Sequence, residues 1–89
     1  MLDDFADGTP PLPDPALRRA WIRVMTEEFG VLQDASSRGR KTLLDQYGAS
    51  HPAEFFAVAT ECFFEKAKLM RKKHPELYDL LKAYYQQDP

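Results

Sequence analysis

An all-α fold with three main helices, over about 15–35, 52–70 and 75–87, is predicted by three observations on the 89-residue sequence. Asp14-Pro15, His51-Pro52 and His74-Pro75 each place a proline where helices tolerate it best, apolar residues follow at helical spacing, and no segment alternates apolar and polar residues over strand length. For the first helix, Asp14 is a good N-cap, and Pro15 at the first position lacks an N–H that would have had no intrahelical partner. Leu17, Trp21, Val24, Met25 and Leu32 then recur at intervals of three, four and seven, with Arg18, Arg19, Arg23 and Glu27 between them, which gives one core-facing stripe. Gly30 interrupts the pattern at a cost of about 1 kcal/mol relative to alanine, and Val31 and Leu32 carry it on.

The stretch before Asp14 holds Asp3, Asp4, Asp7, Gly8 and three prolines, a composition for an extended, polyproline-like lead-in. SSRGRK at 36–41 reads as a polar connection, and TLLDQYGAS as a loop with one short turn. Around the axis of the second helix lie Phe55, Phe56, Val58, Ala59, Cys62, Phe63 and Phe64, the pattern of a central helix buried on most sides. In the last, Leu77, Leu80, Leu81 and Tyr84 form one i, i+3, i+4, i+7 face.

Composition narrows the function classes. The whole chain, 1–89, has room for a single helical domain, with a radius of gyration near ~12 Å. With 44% hydrophobic and 12% aromatic residues it is too apolar for disorder. Twelve Lys and Arg against fourteen Asp and Glu leave a net charge of -2, so neither a nucleic acid nor an anionic membrane is the expected partner. Cys62 is alone and forms no internal disulfide, MLDDFADG has no signal-peptide character, and no apolar run is long enough to cross a bilayer. Cytoplasm is the expected location.

Glu54, Val58 and Glu61 share one face of the second helix, with Glu65 a turn further. Glu54 is explained either as a first-turn carboxylate favouring the positive helix N-terminus, or as a carboxylate among Phe55 and Phe56 that needs a partner such as a metal ion. Periodicity does not choose between them. Weaker signals read as ordinary structure: KAKLMRKK at 66–73 as a solvated helix end, and PPLP at 10–13 as a rigid loop. Asp3, Asp4 and Asp7 lack EF-hand spacing, and His51, Cys62 and His74 lack the spacing of a structural zinc site.

The longer string, YGASHPAEFFAVATECFFE followed by HPELYDLLKAYYQQDP, closely resembles the C-terminal part of the Mlc titration factor A family of zinc-dependent peptidases, which is similar in its active site to the anthrax lethal factor peptidase domain. The resemblance runs from the ADGTPPLP lead-in to the terminal QDP. It implies that Glu54, in the segment matching PAEFFA, is the third protein ligand of a catalytic zinc whose two histidines come from a His-Glu-x-x-His helix. It implies too that Tyr47, seven residues before the glutamate, donates a hydrogen bond to the oxyanion as a peptide carbonyl becomes tetrahedral. Glu61 would orient the site from behind the ligand, or form a structural ion pair.

The sequence departs from that family in one decisive respect. Its only histidines are His51 and His74, and His-Glu-x-x-His is absent. The chain therefore resembles a truncated product beginning after the catalytic helix, and it is expected to bind no zinc and to have no peptidase activity by itself, since one carboxylate does not hold catalytic zinc. His51 replaces the family's usual Asn, which is expected to weaken a cap, and Ala67 replaces a proline, which is expected to let the second helix run on toward Lys72. The contrasting expectation is a non-catalytic helical interaction module. Expected partners are a second copy of the chain in a homodimer, a transcriptional repressor, or the missing N-terminal part of the peptidase.

Overall fold

The computed structural model describes residues 8–89. Among them the chain forms four α-helices and no strand: α1 (Pro15–Ser37), α2 (Pro52–Glu65), α3 (Ala67–Lys73) and α4 (Pro75–Tyr85), with a 3-10 turn at Gln46–Ala49. The all-α class is as the sequence predicts, and the radius of gyration is 12.2 Å. The acidic cluster at Asp3, Asp4 and Asp7 lies outside the described residues.

Helix α1 starts as its residues dictate. Asp14 Oδ1 accepts the Ala16 N–H at 3.0 Å, and Pro15 follows at the first position. The helix runs two residues beyond the expected end, because Gly39, at φ 67°, closes it. The Arg40 N–H returns to Ala35 O at 2.9 Å and the Gly39 N–H to Ser36 O at 3.2 Å, the two bonds of a Schellman cap.

The expected helix over 52–70 is two helices. At Lys66 (φ -133°, ψ 47°) the backbone leaves helical geometry, and α3 begins at Ala67. No proline or glycine marks the spot. The turn sets α3 against α4, so that Met70 is fully buried while Lys68, Arg71, Lys72 and Lys73 stay solvated. Burying the flexible, apolar Met70 side chain is worth roughly 1.5–3 kcal/mol, which offsets a single interrupted helical turn. The final helix ends at Tyr85 rather than at 87, where Gln86 adopts left-handed geometry at φ 54°.

The core has Trp21, Met25, Phe55, Phe63, Met70, Leu77 and Leu81 at 0% exposure. Trp21 joins three elements: its indole N–H donates to Gly8 O at 3.0 Å, and its ring meets Phe56 and Tyr84 edge-on, each with centroids 5.2 Å apart. Such pairs contribute about 0.5–1.5 kcal/mol beyond their area. The molecule is a slab of 37 × 32 × 16 Å, and its thin dimension is about that of two packed helix layers. Helix α2 is consequently buried on one side and not on most. Phe55, Val58, Ala59, Cys62 and Phe63 face inward, whereas Ala53, Ala57 and Phe64 are exposed and Phe56 is half-buried. The expectation of a helix buried on most sides fails because, among the described residues, no third layer covers it.

Candidate functional site

The three residues singled out by sequence lie on the 3-10 turn and on α2, and the way these two pack is built from local rules. Asp45 caps the turn, its Oδ1 accepting the Tyr47 N–H at 2.9 Å. Tyr47 O accepts the Ser50 hydroxyl at 2.8 Å, which closes the turn just before α2 begins. Gln33 on α1 donates to Ala49 O at 3.2 Å and ties the turn to the first helix.

Gly48 decides how close the turn comes to α2. A Cβ at this position would lie 2.4 Å from Val58 Cγ2 and 3.3 Å from Phe55 Cα, so only glycine permits the approach. The turn bearing Tyr47 is thereby pressed against the first two turns of the helix that carries Glu54. The Tyr47 side chain itself is 63% exposed, with its phenol outside the core.

Glu54 stands in the first turn of α2 and is half-buried, beside the fully buried Phe55. Its position suits the positive end of the helix, and it also leaves a carboxylate at the surface next to the turn. His51 caps this helix: its Nδ1 accepts the Ala53 N–H at 3.2 Å, the role an asparagine oxygen would take. A ring nitrogen in the acceptor tautomer reaches the same donor because His51 is extended (φ -164°, ψ 147°).

Glu61 is exposed, two turns or about 10 Å along α2 from Glu54. It lines a cleft of about 460 Å³ between α2 and the 41–46 segment, together with Asp45, Val58, Cys62, Glu65 and Lys66. Burial pushes the Cys62 thiol above its ordinary pKa, with Lys66 opposing the shift, so the cysteine is a protonated thiol at neutral pH and not a ready nucleophile. Among the described residues no hydrogen bond or ion pair joins the side chains of Tyr47, Glu54 and Glu61.

A zinc ion is the cofactor implied by the resemblance, and the residues present do not complete a site for one. Among the described residues no three His, Cys, Asp or Glu side chains are grouped to hold a metal ion. His51 Nδ1 is engaged at the head of α2, and His74 Nδ1 lies 2.9 Å from Glu28 Oε1. Glu54 is one oxygen donor where a catalytic zinc uses three protein ligands.

One constellation escaped the sequence reading. Glu28 and His74, 46 residues apart, form a partly shielded pair in the wall of a second cavity of about 340 Å³ between α1, the 40–44 segment and the α3–α4 junction. Nothing in their spacing signals this, because only the antiparallel return of the chain brings them together.

Comparison with known proteins agrees with the resemblance. A family profile described as glucose-regulated metallo-peptidase M90 matches residues 1–86. An uncharacterized protein of Synechocystis is 36% identical over 89 residues, covering 100% of this chain and 32% of that protein. Mlc titration factor A of Edwardsiella ictaluri is 35% identical over 87 residues, covering 96% of this chain and 33% of that protein. The Escherichia coli K12 protein of the same name is 46% identical over 93 residues, covering 97% of this chain and 33% of its own length. The chain thus spans about a third of the length of these curated relatives. No solved structure matches it. Among the described residues no helix is long and apolar enough to cross a membrane.

Proposed function

Because the chain belongs to the glucose-regulated metallo-peptidase M90 family, we propose that it is the part of a zinc peptidase of the Mlc titration factor A type that supplies Glu54 as metal ligand and Tyr47 as oxyanion donor. The observation that carries this reading is the Gly48 contact, which seats the Tyr47 turn directly on the helix bearing Glu54. Glu54 contributes one carboxylate oxygen to a donor set completed by histidines outside this chain, where the metal supplies Lewis acidity. The exposed Tyr47 phenol is placed to donate a hydrogen bond to a scissile carbonyl oxygen as negative charge develops there. Glu61, exposed and two turns along α2, does not touch Glu54 and carries no part of this reading.

The test is reconstitution. Mixing the chain with a relative's segment that carries His-Glu-x-x-His is expected to restore zinc-dependent cleavage of a chromogenic peptide, and Glu54→Gln to abolish it. Tyr47→Phe should lower kcat about 10²–10³-fold with little change in KM, as for loss of one oxyanion donor. The chain by itself should show no turnover. Full activity of the reconstituted Glu54→Gln protein would overturn the ligand assignment.

A second reading, that of a helical interaction module acting on a second copy of itself or on a transcriptional repressor, is favoured by one observation. The outward face of α2 leaves Phe64 42% exposed beside Tyr85, apolar surface of the kind that association covers. Homodimerisation is read by sedimentation: a 10.3 kDa species at all micromolar concentrations would remove it.

A further inference from the structure

The cavity beside Glu28 and His74 has a chemistry of its own, apart from the peptidase reading. Its open lining is apolar: Val31 is 60% exposed and Ala35 and Leu43 are half-buried, over the buried Leu32 and Leu44. Its mouth is cationic. Arg40, Lys41 and Lys73 line it, all three exposed, and none makes an ion pair with a described carboxylate. Among the described residues Glu28 is the one carboxylate on its wall, and His74 already occupies it at 2.9 Å. Three cations thus converge on an apolar hollow in a chain whose net charge is -2. Lys73, the exposed last residue of the basic run at 66–73, is the one member of that run on the cavity.

We infer that this cavity binds a small amphiphilic anion of the aliphatic carboxylate class, with its chain against Val31, Ala35 and Leu43 and its head group at Arg40, Lys41 and Lys73. The volume of about 340 Å³ is that of a small-molecule site and too small for a protein segment of any length. A bare phosphate leaves the apolar lining unused, and a cation meets three like charges where the one described carboxylate is already engaged. Charge and apolar burial together select a ligand that has both.

Sodium octanoate is the probe, titrated into the isotopically labelled full chain at low salt, with hexanoate, 1-octanol and octylammonium as comparators. The expected result is saturable shifts of the Leu43 and Leu44 methyls. Hexanoate should bind about fifteenfold more weakly, since each buried methylene is worth roughly fourfold in affinity. Lys41→Glu/Lys73→Glu, at two exposed positions, should weaken octanoate about tenfold, and Lys41→Gln/Lys73→Gln by less, with helical circular dichroism unchanged in both. Octanol or octylammonium binding as tightly as octanoate would overturn the inference, as would unchanged affinity in both lysine variants or shifts that never saturate.

Discussion

Two helices in this protein begin with the same pair of residues and use it differently. At the head of α2, His51 Nδ1 accepts the Ala53 N–H of its own helix at 3.2 Å. At the head of α4, His74 makes no side-chain cap, and its Nδ1 reaches Glu28 on α1 at 2.9 Å. The backbone accounts for the contrast. His51 follows a turn and is fully extended, whereas His74 is held by the end of α3, its N–H donating to Met70 O at 2.7 Å, with φ -137° and ψ 63°. That geometry turns its ring away from the α4 donors and toward α1. A shared local signal starts both helices, and the neighbouring element decides what the histidine does.

The contrast breaks most severely at the turn that delivers the chain to His51. Gly48→Ala places a methyl 2.4 Å from Val58 Cγ2, and is expected to destabilise by about 1–3 kcal/mol, read as a lower urea midpoint at unchanged m. Comparable stability in Gly48→Ala would mean that the turn shifts freely on α2. Next, the two histidines should separate in a double-mutant cycle. His74→Ala and Glu28→Ala are expected to couple by about 0.5–1 kcal/mol, discounted because both side chains retain some solvent contact. His51→Ala should cost about 0.5–1 kcal/mol as a lost cap and show no coupling to Glu28. Equal coupling of both histidines to Glu28 would erase the distinction.

The smallest effect is expected at the end of α4, where the Tyr78 hydroxyl donates to Asp88 and Lys82 Nζ lies 3.7 Å from Asp88 Oδ2. The Tyr78 hydrogen bond holds the Asp88 carboxyl below its ordinary 3.8, with Lys82 adding to it. A carboxylate lowered on folding stabilises above its ordinary pKa, and that contribution is lost as pH falls through the folded value. Asp88→Asn should therefore be slightly less stable than the unsubstituted chain at pH 7, and the difference, followed as urea unfolding by circular dichroism, should close as pH falls through the folded Asp88 value. Equal stability at pH 7 would show that the carboxylate contributes nothing.

Much of the fold is legible in the residues because it rests on near-neighbour rules. Asp14-Pro15 starts α1 through a bond spanning two residues, and the stripe from Leu17 to Leu32 is a matter of helical period. The break at Lys66 is not legible, since no residue there is a helix breaker and the turn follows from Met70 finding the core. Nor is the half-exposure of α2: its apolar residues read as burial on most sides, and a slab 16 Å thick covers only one side. Of the candidate site, Glu54 and Tyr47 came from the resemblance of the string around PAEFFA, while periodicity left Glu54 open between helix-end carboxylate and metal ligand.

By itself, then, the sequence determined the all-α class, the three proline-led helix starts and the family, because each is written in residues close together along the chain or in a string long enough to be specific. Only the tertiary structure decided that Gly48 fits under Val58, that His74 meets Glu28, and that Val31 and Leu43 line a cavity with a cationic mouth. Those outcomes depend on distances between residues ten to forty-six positions apart, which are set by how whole helices pack and not by any local preference.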